Sequence, residues 1–302
     1  MKPFNVAICF IIFNRPDTTE IVFQQIRAIK PKKIYVISDA ARNEAEKEIV
    51  QRTRAIVEDN VDWECEVIKN YAQINMGCGP RVSSGISWVF EREEELIILE
   101  DDCVPDQSFF YFAQEMLEKY KNDERIMYIT GDNFHKDIVI HDSYDFVKIG
   151  WIWGWATWKR AWSKYDFQFS HWKRDRETVR RFYNKDEYEV FARDLDSLIE
   201  KGMYTWDYQW QYCCAINGGL CIVPKVNLVN NIGFRPDATH TKTANPYYDG
   251  TTKTIRFPLK DPEAILPNVE YDRKTLRYMK GFDPNIVKKI LRRVRKLIRN
   301  RT

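Results

Sequence analysis

Apolar and polar positions alternate in a regular way through the first third of the chain. Residues 6–13 (VAICFIIF) form a near-continuous apolar run, the pattern of a strand covered on both faces. Residues 18–29 place Ile21, Val22, Ile26 and Ile29 at helical spacing, with Asp17 or Thr18 as cap. Residues 34–37 predict a second strand ending in Ser38-Asp39, and residues 45–57 a helix with Ile49, Val50, Ile56 and Val57 as its apolar stripe. A third strand at 66–68, a helix at 80–91 carrying Val82, Ile86, Val89 and Phe90, and a fourth strand at 96–99 follow. Strands alternating with helices predict an α/β fold with a mostly parallel central sheet flanked by helices.

Beyond the fourth strand the pattern predicts a helix at 109–120 and a strand at 126–130. Then comes a segment in which six of the ten tryptophans lie between Trp151 and Trp172. Trp151, Trp153 and Trp155 alternate as on a strand, whereas Trp155, Trp158 and Trp162 recur at helical spacing, so a change from strand to helix is expected near Gly154. Polar helices extend through Lys201, residues 204–210 and the strand 220–223 follow, and the Pro/Asn/Thr-rich residues 230–254 read as loop.

Ligands of such sheets bind beyond the carboxyl ends of the strands. Asn14-Arg15, Ser38-Asp39, Asn70 and Glu100-Asp101-Asp102 fall at those ends and predict one polar crevice. The chain has neither a Gly-x-Gly-x-x-Gly after the first strand nor a P-loop, so a bound phosphate must be neutralised otherwise. The acid triplet offers the hard oxygen ligands that Mg²⁺ or Mn²⁺ take, through one or two carboxylates plus substrate phosphates. Its other reading is an acidic loop capping the next helix, a task that Asp106 or Ser108 could perform instead.

Charge divides unevenly. Lys and Arg number 47 against 44 Asp and Glu, a net +3, yet eight of the basic residues lie in residues 286–302 with no acid among them. Without those eight, 39 basic side chains face 44 acidic ones, an acidic body that argues against a nucleic-acid binder. In the tail, Ile286, Val287, Ile290, Leu291, Val294, Leu297 and Ile298 recur at helical steps with basic residues on the other face. That pattern predicts a helix lying on an anionic membrane surface through residues 286–301; a domain-covering helix or a nucleic-acid tail would share it. Seven cysteines at no zinc-like spacing read as free thiols of a reducing compartment. The apolar start lacks a small-x-small cleavage site and no run reaches the ~20 residues of a membrane span, so the expected location is cytoplasmic, peripheral on the inner face of the membrane.

The run LIILEDDCVPDQSFFYFAQEMLEKYKND resembles the metal-binding segment of GT-A fold glycosyltransferases, the nucleotide-diphospho-sugar transferases whose strand ends in a variant of Asp-x-Asp. It is most similar to N-acetylglucosaminyltransferase I and to bacterial family-2-like sugar transferases, in which an acid triplet precedes a proline and an aromatic-rich helix. The likeness extends to GWIWGWATWKRAW (150–162), TWDYQW (205–210) and LCIVPKVNLVNNIG (220–233), and spans most of residues 4–245. It implies a nucleotide-diphosphate sugar donor, a glycan or lipid-linked glycan acceptor, a divalent metal, and inversion by direct displacement. Residues 1–131 would bind the nucleotide sugar and 132–275 the acceptor; 276–302 would be linker and membrane-surface helix.

Carried over residue by residue, the resemblance assigns Asp102 to the metal, Asp101 to the nucleoside and Glu100 to the neighbourhood of the transferred sugar. Asp39 matches an acid that hydrogen-bonds the base, and Asn14 and Arg15 match the loop bordering the nucleotide. Arg81 faces the diphosphate or base, or else is a solvated helix residue. Inverting transfer needs a base for the acceptor hydroxyl. Asp207, bracketed by Trp206 and Trp210, matches that position, although Tyr208 stands where the family has a second acid. An acid there could equally serve the N-terminus of a helix. His240 matches a loop histidine that can close over the phosphates as a metal ligand; a solvent-exposed loop histidine is the alternative. Trp151, Trp153 and Trp155 would wall the sugar, or fill core. The rival readings are a sugar-phosphate nucleotidyltransferase and a catalytically silent carbohydrate-binding protein of the same fold.

Overall fold

The first apolar run forms β1 (Ile8–Ile12), all of it buried. The chain then turns through α1 (Pro16–Ile29), β2 (Lys33–Ser38), α2 (Lys47–Glu58), β3 (Glu66–Tyr71), α3 (Cys78–Phe90) and β4 (Glu95–Glu100). β1 is apolar throughout because it is an interior strand, paired in parallel with β2 on one side and β4 on the other. Alternate residues of these strands feed two different cores. Ile8, Phe10, Ile34, Val36, Ile97 and Leu99 pack with Val22, Phe23 and Ile26 of α1. Cys9, Ile11, Tyr35, Ile37 and Ile98 pack with Val82, Ile86 and Val89 of α3 on the other face. The computed structural model describes residues 3–135, 137–202, 205–234 and 250–281.

The second part adds β5 (Cys103–Pro105), α4 (Gln107–Tyr120), β6 (Ile126–Thr130), β7 (Tyr144–Val147), β8 (Trp155–Trp158) and α5 (Lys159–Trp162). It continues with α6 (Trp172–Phe182), α7 (Lys185–Lys201), α8 (Asp207–Ile216), β9 (Leu220–Pro224), β10 (Val229–Asn231) and α9 (Val269–Gly281). Eight strands make one sheet in the order β3-β2-β1-β4-β8-β6-β9-β7. β1 to β4 are mutually parallel, as is the β6–β9 pair, while β8 runs antiparallel to both β4 and β6 and β7 antiparallel to β9. The architecture is therefore the expected α/β one, a mostly parallel sheet covered by helices. A separate ribbon pairs β10 with β5 and so ties the segment after β9 to the acid triplet.

Two local expectations change and a third holds. α1 starts at Pro16, which suits a first helical position, and no side chain caps it; the Thr18 and Thr19 hydroxyls donate back to the Arg15 carbonyl instead. Asp106 is the cap of α4, accepting from Ser108 N at 2.9 Å, which leaves the acid triplet free of that duty. Among the tryptophans the strand begins after Gly154 rather than ending there, so Trp151 and Trp153 stand in a loop and Trp155 opens β8. The C-terminal α9 folds back on the sheet: His135 Nε2 meets Thr275 Oγ1 at 2.8 Å, and Asp272 accepts from the Lys148 and Ile149 backbone N–H groups. Among the described residues no helix is long and apolar enough to cross a membrane. All seven cysteines are free.

Candidate active site

The carboxyl ends of β1 and β4, the start of α3, the loop before β8 and the start of α8 converge on a cleft of about 340 Å³. Arg15, Cys78, Glu100, Asp102, Trp151, Trp153, Thr205, Asp207 and Tyr208 line it. A narrower compartment of about 180 Å³ continues past Arg15, Cys78 and Glu100 to Asp39, Arg42, Asn75, Arg81 and Asp101. Glu100, Asp101, Asp102, Asp39, Arg15, Arg81, Asp207, Trp151 and Trp153, all chosen from sequence, thus border two neighbouring compartments that share Arg15, Cys78 and Glu100.

Not every chosen residue is there. Trp155 is 1% exposed and stacks on Trp206 with ring centroids 5.5 Å apart, because the outward pleat of β8 faces the helices α5 and α8. Asn14 reaches Glu46 at 3.4 Å and lines neither compartment. His240 and the basic tail, residues 286–301, lie outside the described residues.

The acid triplet carries an excess of negative charge. Arg15 Nη2 lies 2.7 Å from Asp101 Oδ1 and Nη1 donates to Asp102 Oδ2 at 2.8 Å. Asp101 also accepts from Phe13 N at 3.2 Å. One guanidinium does not balance three carboxylates. Burial, then the neighbouring Asp102 and Asp101, push the Glu100 carboxyl above its ordinary range, and Asp207 adds to the same effect. Burial also raises Asp101, against the pull of Arg15.

Among the described residues no group of three His, Cys, Asp or Glu side chains converges as a metal site by itself. The set nevertheless fits a hard divalent cation shared with phosphates, which needs only one or two carboxylates from the protein. Glu100 and Asp102 face the cleft, and the backbone at Gly233 closes on Asp102 so tightly that a Cβ there would lie 2.1 Å from Oδ2. The Gly233 N–H in turn donates to Asn231 Oδ1 at 2.7 Å, holding β10's end over the acids.

Hydrogen bonds tie the walls of the narrow compartment together. Asp39 accepts from the backbone N–H groups of Ala40, Met76 and Gly77 and from Asn75 Nδ2, so it pins the loop that enters α3. Arg81, 5% exposed, donates to the Ser38 carbonyl at 3.2 Å and to Asn70 Oδ1 at 3.0 Å, bridging the ends of β2 and β3. Arg42 lies over the Phe13 ring at 5.5 Å, with its guanidinium paired to Glu46, to which Nε donates at 2.9 Å.

Sequence reasoning missed several contributors. Cys78, Asn231, Gly233 and Phe234 border the cleft and Arg42 the compartment, without any local pattern to mark them. Asp132 is buried beneath the tryptophan loop, where its Oδ2 accepts from Trp153 N at 2.9 Å. The signal available was a lone acid just past the predicted strand at 126–130, which by itself points to nothing.

No protein-family model matches the chain, and no curated protein matches it by sequence. Solved structures overlap it in part. Residues 1–349 of S. aureus TarS align at 8% identity with a TM-score of 0.40, covering 73% of this chain and 58% of that one. The mannosyltransferase PcManGT from Pyrobaculum calidifontis, in complex with GDP-Man and Mn2+, aligns at 13% identity and a TM-score of 0.35, covering 50% of this chain and 44% of that one. A 4-diphosphocytidyl-2C-methyl-D-erythritol synthase from Anaerococcus prevotii aligns at 10% identity and 0.32, covering 53% and 74%. This chain spans less than two thirds of the length of TarS 1–349 and of PcManGT.

Proposed function

We propose that the protein is a metal-dependent, inverting glycosyltransferase that moves a sugar from a nucleotide-diphosphate donor to a glycan hydroxyl. The observation that carries this reading is that Asp207, Glu100, Asp102, Trp151 and Trp153 line one cleft. The narrow compartment, lined by Asp39, Arg42, Asn75 and Arg81, would take the nucleoside, with Arg15 at its junction with the cleft. Glu100 and Asp102 would hold Mn²⁺ or Mg²⁺, whose charge offsets that of the departing diphosphate. Trp151 and Trp153 present apolar ring faces on which sugar C–H groups pack.

Asp207 begins α8 and stands free of any backbone capping duty, since Trp206 occupies the cap position. As base it would take the acceptor hydroxyl proton while that oxygen attacks the anomeric carbon, on the face opposite the leaving group. The resemblance of residues 96–123 to the metal-binding segment of GT-A transferases would imply the same roles. A lipid-linked acceptor at a bilayer, reached through the basic tail, completes the proposal and would place the protein at the cytoplasmic face of a membrane, in cell-surface polysaccharide or glycolipid synthesis.

A thermal-shift panel of nucleotide sugars with and without Mn²⁺ tests this reading. Ligands that bind only the native state raise the melting temperature. A rise that needs both the nucleotide sugar and the cation is expected; no rise with any member of the panel overturns the proposal.

A further inference from the structure

Asp132 is wholly buried, has no part in the roles above, and lines neither the cleft nor the narrow compartment. It stands two residues past the end of β6. Its N–H donates to Thr130 Oγ1 at 3.0 Å, and that hydroxyl donates back to Asp132 Oδ2 at 3.3 Å. The residues that follow are anchored to other elements. Asn133 N donates to Asn227 Oδ1 at 3.0 Å, Asn133 Nδ2 donates to the Pro224 carbonyl at 2.8 Å, and His135 Nε2 meets Thr275 Oγ1 of α9. The position of the carboxyl is thus set by contacts to the end of β9 and to α9.

What the carboxyl holds is the tryptophan loop. The pairing of β8 with β4 and β6 begins only at Trp155, so residues 151–153 lie outside the sheet. The loop is tied instead at two successive residues: Trp153 N donates to Asp132 Oδ2 at 2.9 Å, and Gly131 N donates to the Gly154 carbonyl at 2.8 Å. The same segment also meets the rings, since the Phe134 centroid lies 5.2 Å from that of Trp151 and 5.0 Å from that of Trp153. Asp132 Oδ1, by contrast, is buried and makes no hydrogen bond. An unpaired buried oxygen is costly and calls for an explanation, because a residue that merely filled this space would be apolar. The hold on Trp153 supplies one.

We propose that Asp132 is a positioning residue for sugar binding: from beneath the tryptophan loop it fixes the Trp153 backbone, and so the place of the Trp151 and Trp153 rings against an acceptor sugar. Both tryptophans line the cleft with Asp207 and neither lines the narrow compartment, so the effect falls on the acceptor rather than on the nucleotide. The inference rests on the reading of those rings as the surface on which the sugar packs. Burial pushes the Asp132 carboxyl well above its ordinary range, toward the uncharged form that a carboxamide imitates. Asparagine should therefore replace it, and leucine should not.

The test uses the full chain and calorimetry with two panels, methyl hexosides (N-acetylated and not) and nucleotide sugars, beside a thermal melt that reports an intact fold. The hexoside that the wild type binds most tightly is expected to bind Asp132→Leu about three- to tenfold more weakly, as the loss of one hydrogen bond to the loop allows. Asp132→Asn, whose amide oxygen still accepts from Trp153 N, should bind it within about twofold of the wild type. Nucleotide-sugar affinity should hold in both variants. Asp132→Ser, which sets its oxygen one bond further from Trp153, carries the same expectation as leucine and serves if the leucine variant does not fold. Unchanged hexoside affinity without the carboxyl, an asparagine variant as weak as the leucine one, or a wild type that binds no hexoside would overturn the assignment. So would an equal loss of hexoside and nucleotide-sugar affinity, the mark of a loosened fold rather than of a role at the tryptophan loop. The expected hexoside pattern with no nucleotide-sugar binding would remove the transferase reading and keep the role of Asp132; nucleotide-sugar binding without that pattern would do the reverse.

Discussion

Arg15 Nη1 donates to Asp102 Oδ2 at 2.8 Å, so the carboxylate proposed to hold the metal already shares its charge with a side chain from the end of β1. The same guanidinium holds Asp101, whose side chain is only 4% exposed. Removing it leaves neighbouring acids uncompensated. Since Arg15 itself is 27% exposed, Arg15→Ala should cost less than a fully buried pair does, about 1–3 kcal/mol. Millimolar Mn²⁺ should recover part of that loss; urea denaturation with and without the cation measures both.

Asp207→Asn keeps the shape of the cleft and removes the proposed base. Turnover is expected to fall about 10²–10⁴-fold, the usual worth of general-base catalysis, with nucleotide-sugar affinity changed no more than a few-fold. Steady-state rates beside calorimetric binding separate the two. Unchanged turnover would take the role from Asp207.

Gly154 adopts φ +70°, and a Cβ there would lie 2.7 Å from Val229 Cγ2. Gly154→Ala therefore combines backbone strain with a clash against β10, and should lower stability by about 1–3 kcal/mol. Because the Trp151 and Trp153 loop ends at this residue, acceptor KM should rise more than donor KM. A thermal melt and paired kinetics check the two effects.

His135 is buried against Tyr271 and Thr275 of α9, and burial, then Lys274, hold its pKa down to about 4. The unfolded chain, with an ordinary imidazole, binds a proton first as the pH falls. This contribution is therefore complete above pH ~6.5, is lost progressively below it and levels off below about 4. The expected loss is of order 1–3 kcal/mol. His135→Gln should flatten that part of the curve, read as denaturation midpoints across the range.

Legibility in the sequence followed the range of the interactions involved. β6 (Ile126–Thr130) matches the expected strand residue for residue, and β1, β2 and β4 fall within one residue of expectation at each end, save β1, which starts two residues later. Their signal is local, an apolar run bounded by polar residues. β5 and β10 are three residues each, and neither has a periodicity of its own; each exists because the other supplies hydrogen bonds. β7 likewise forms on the edge of β9.

The candidate site divides in the same way. Glu100, Asp101 and Asp102 could be placed at a strand end from the pattern alone, since strand direction and the rule for open sheets fix where such ends point. Trp151, Trp153 and Trp155 could not be sorted by alternation. Gly154 breaks the strand, and only the packing of β8 against Trp206 and Trp210 decides that Trp155 goes inward while its neighbours face the cleft. Asp39 and Arg81 were legible as polar residues near the crevice, but not as the ties that fix its walls.

The sequence by itself determined the alternation of strands and helices, the acid triplet at the end of β4, and the separation of an acidic body from a basic tail. Each of these is written in neighbouring residues. Tertiary structure alone decided that Asp207 borders the same cleft as Glu100 and that Arg15 bridges Asp101 and Asp102. Those relationships join segments far apart in the chain, and side chains that meet only after the sheet closes leave no periodicity for a linear pattern to carry.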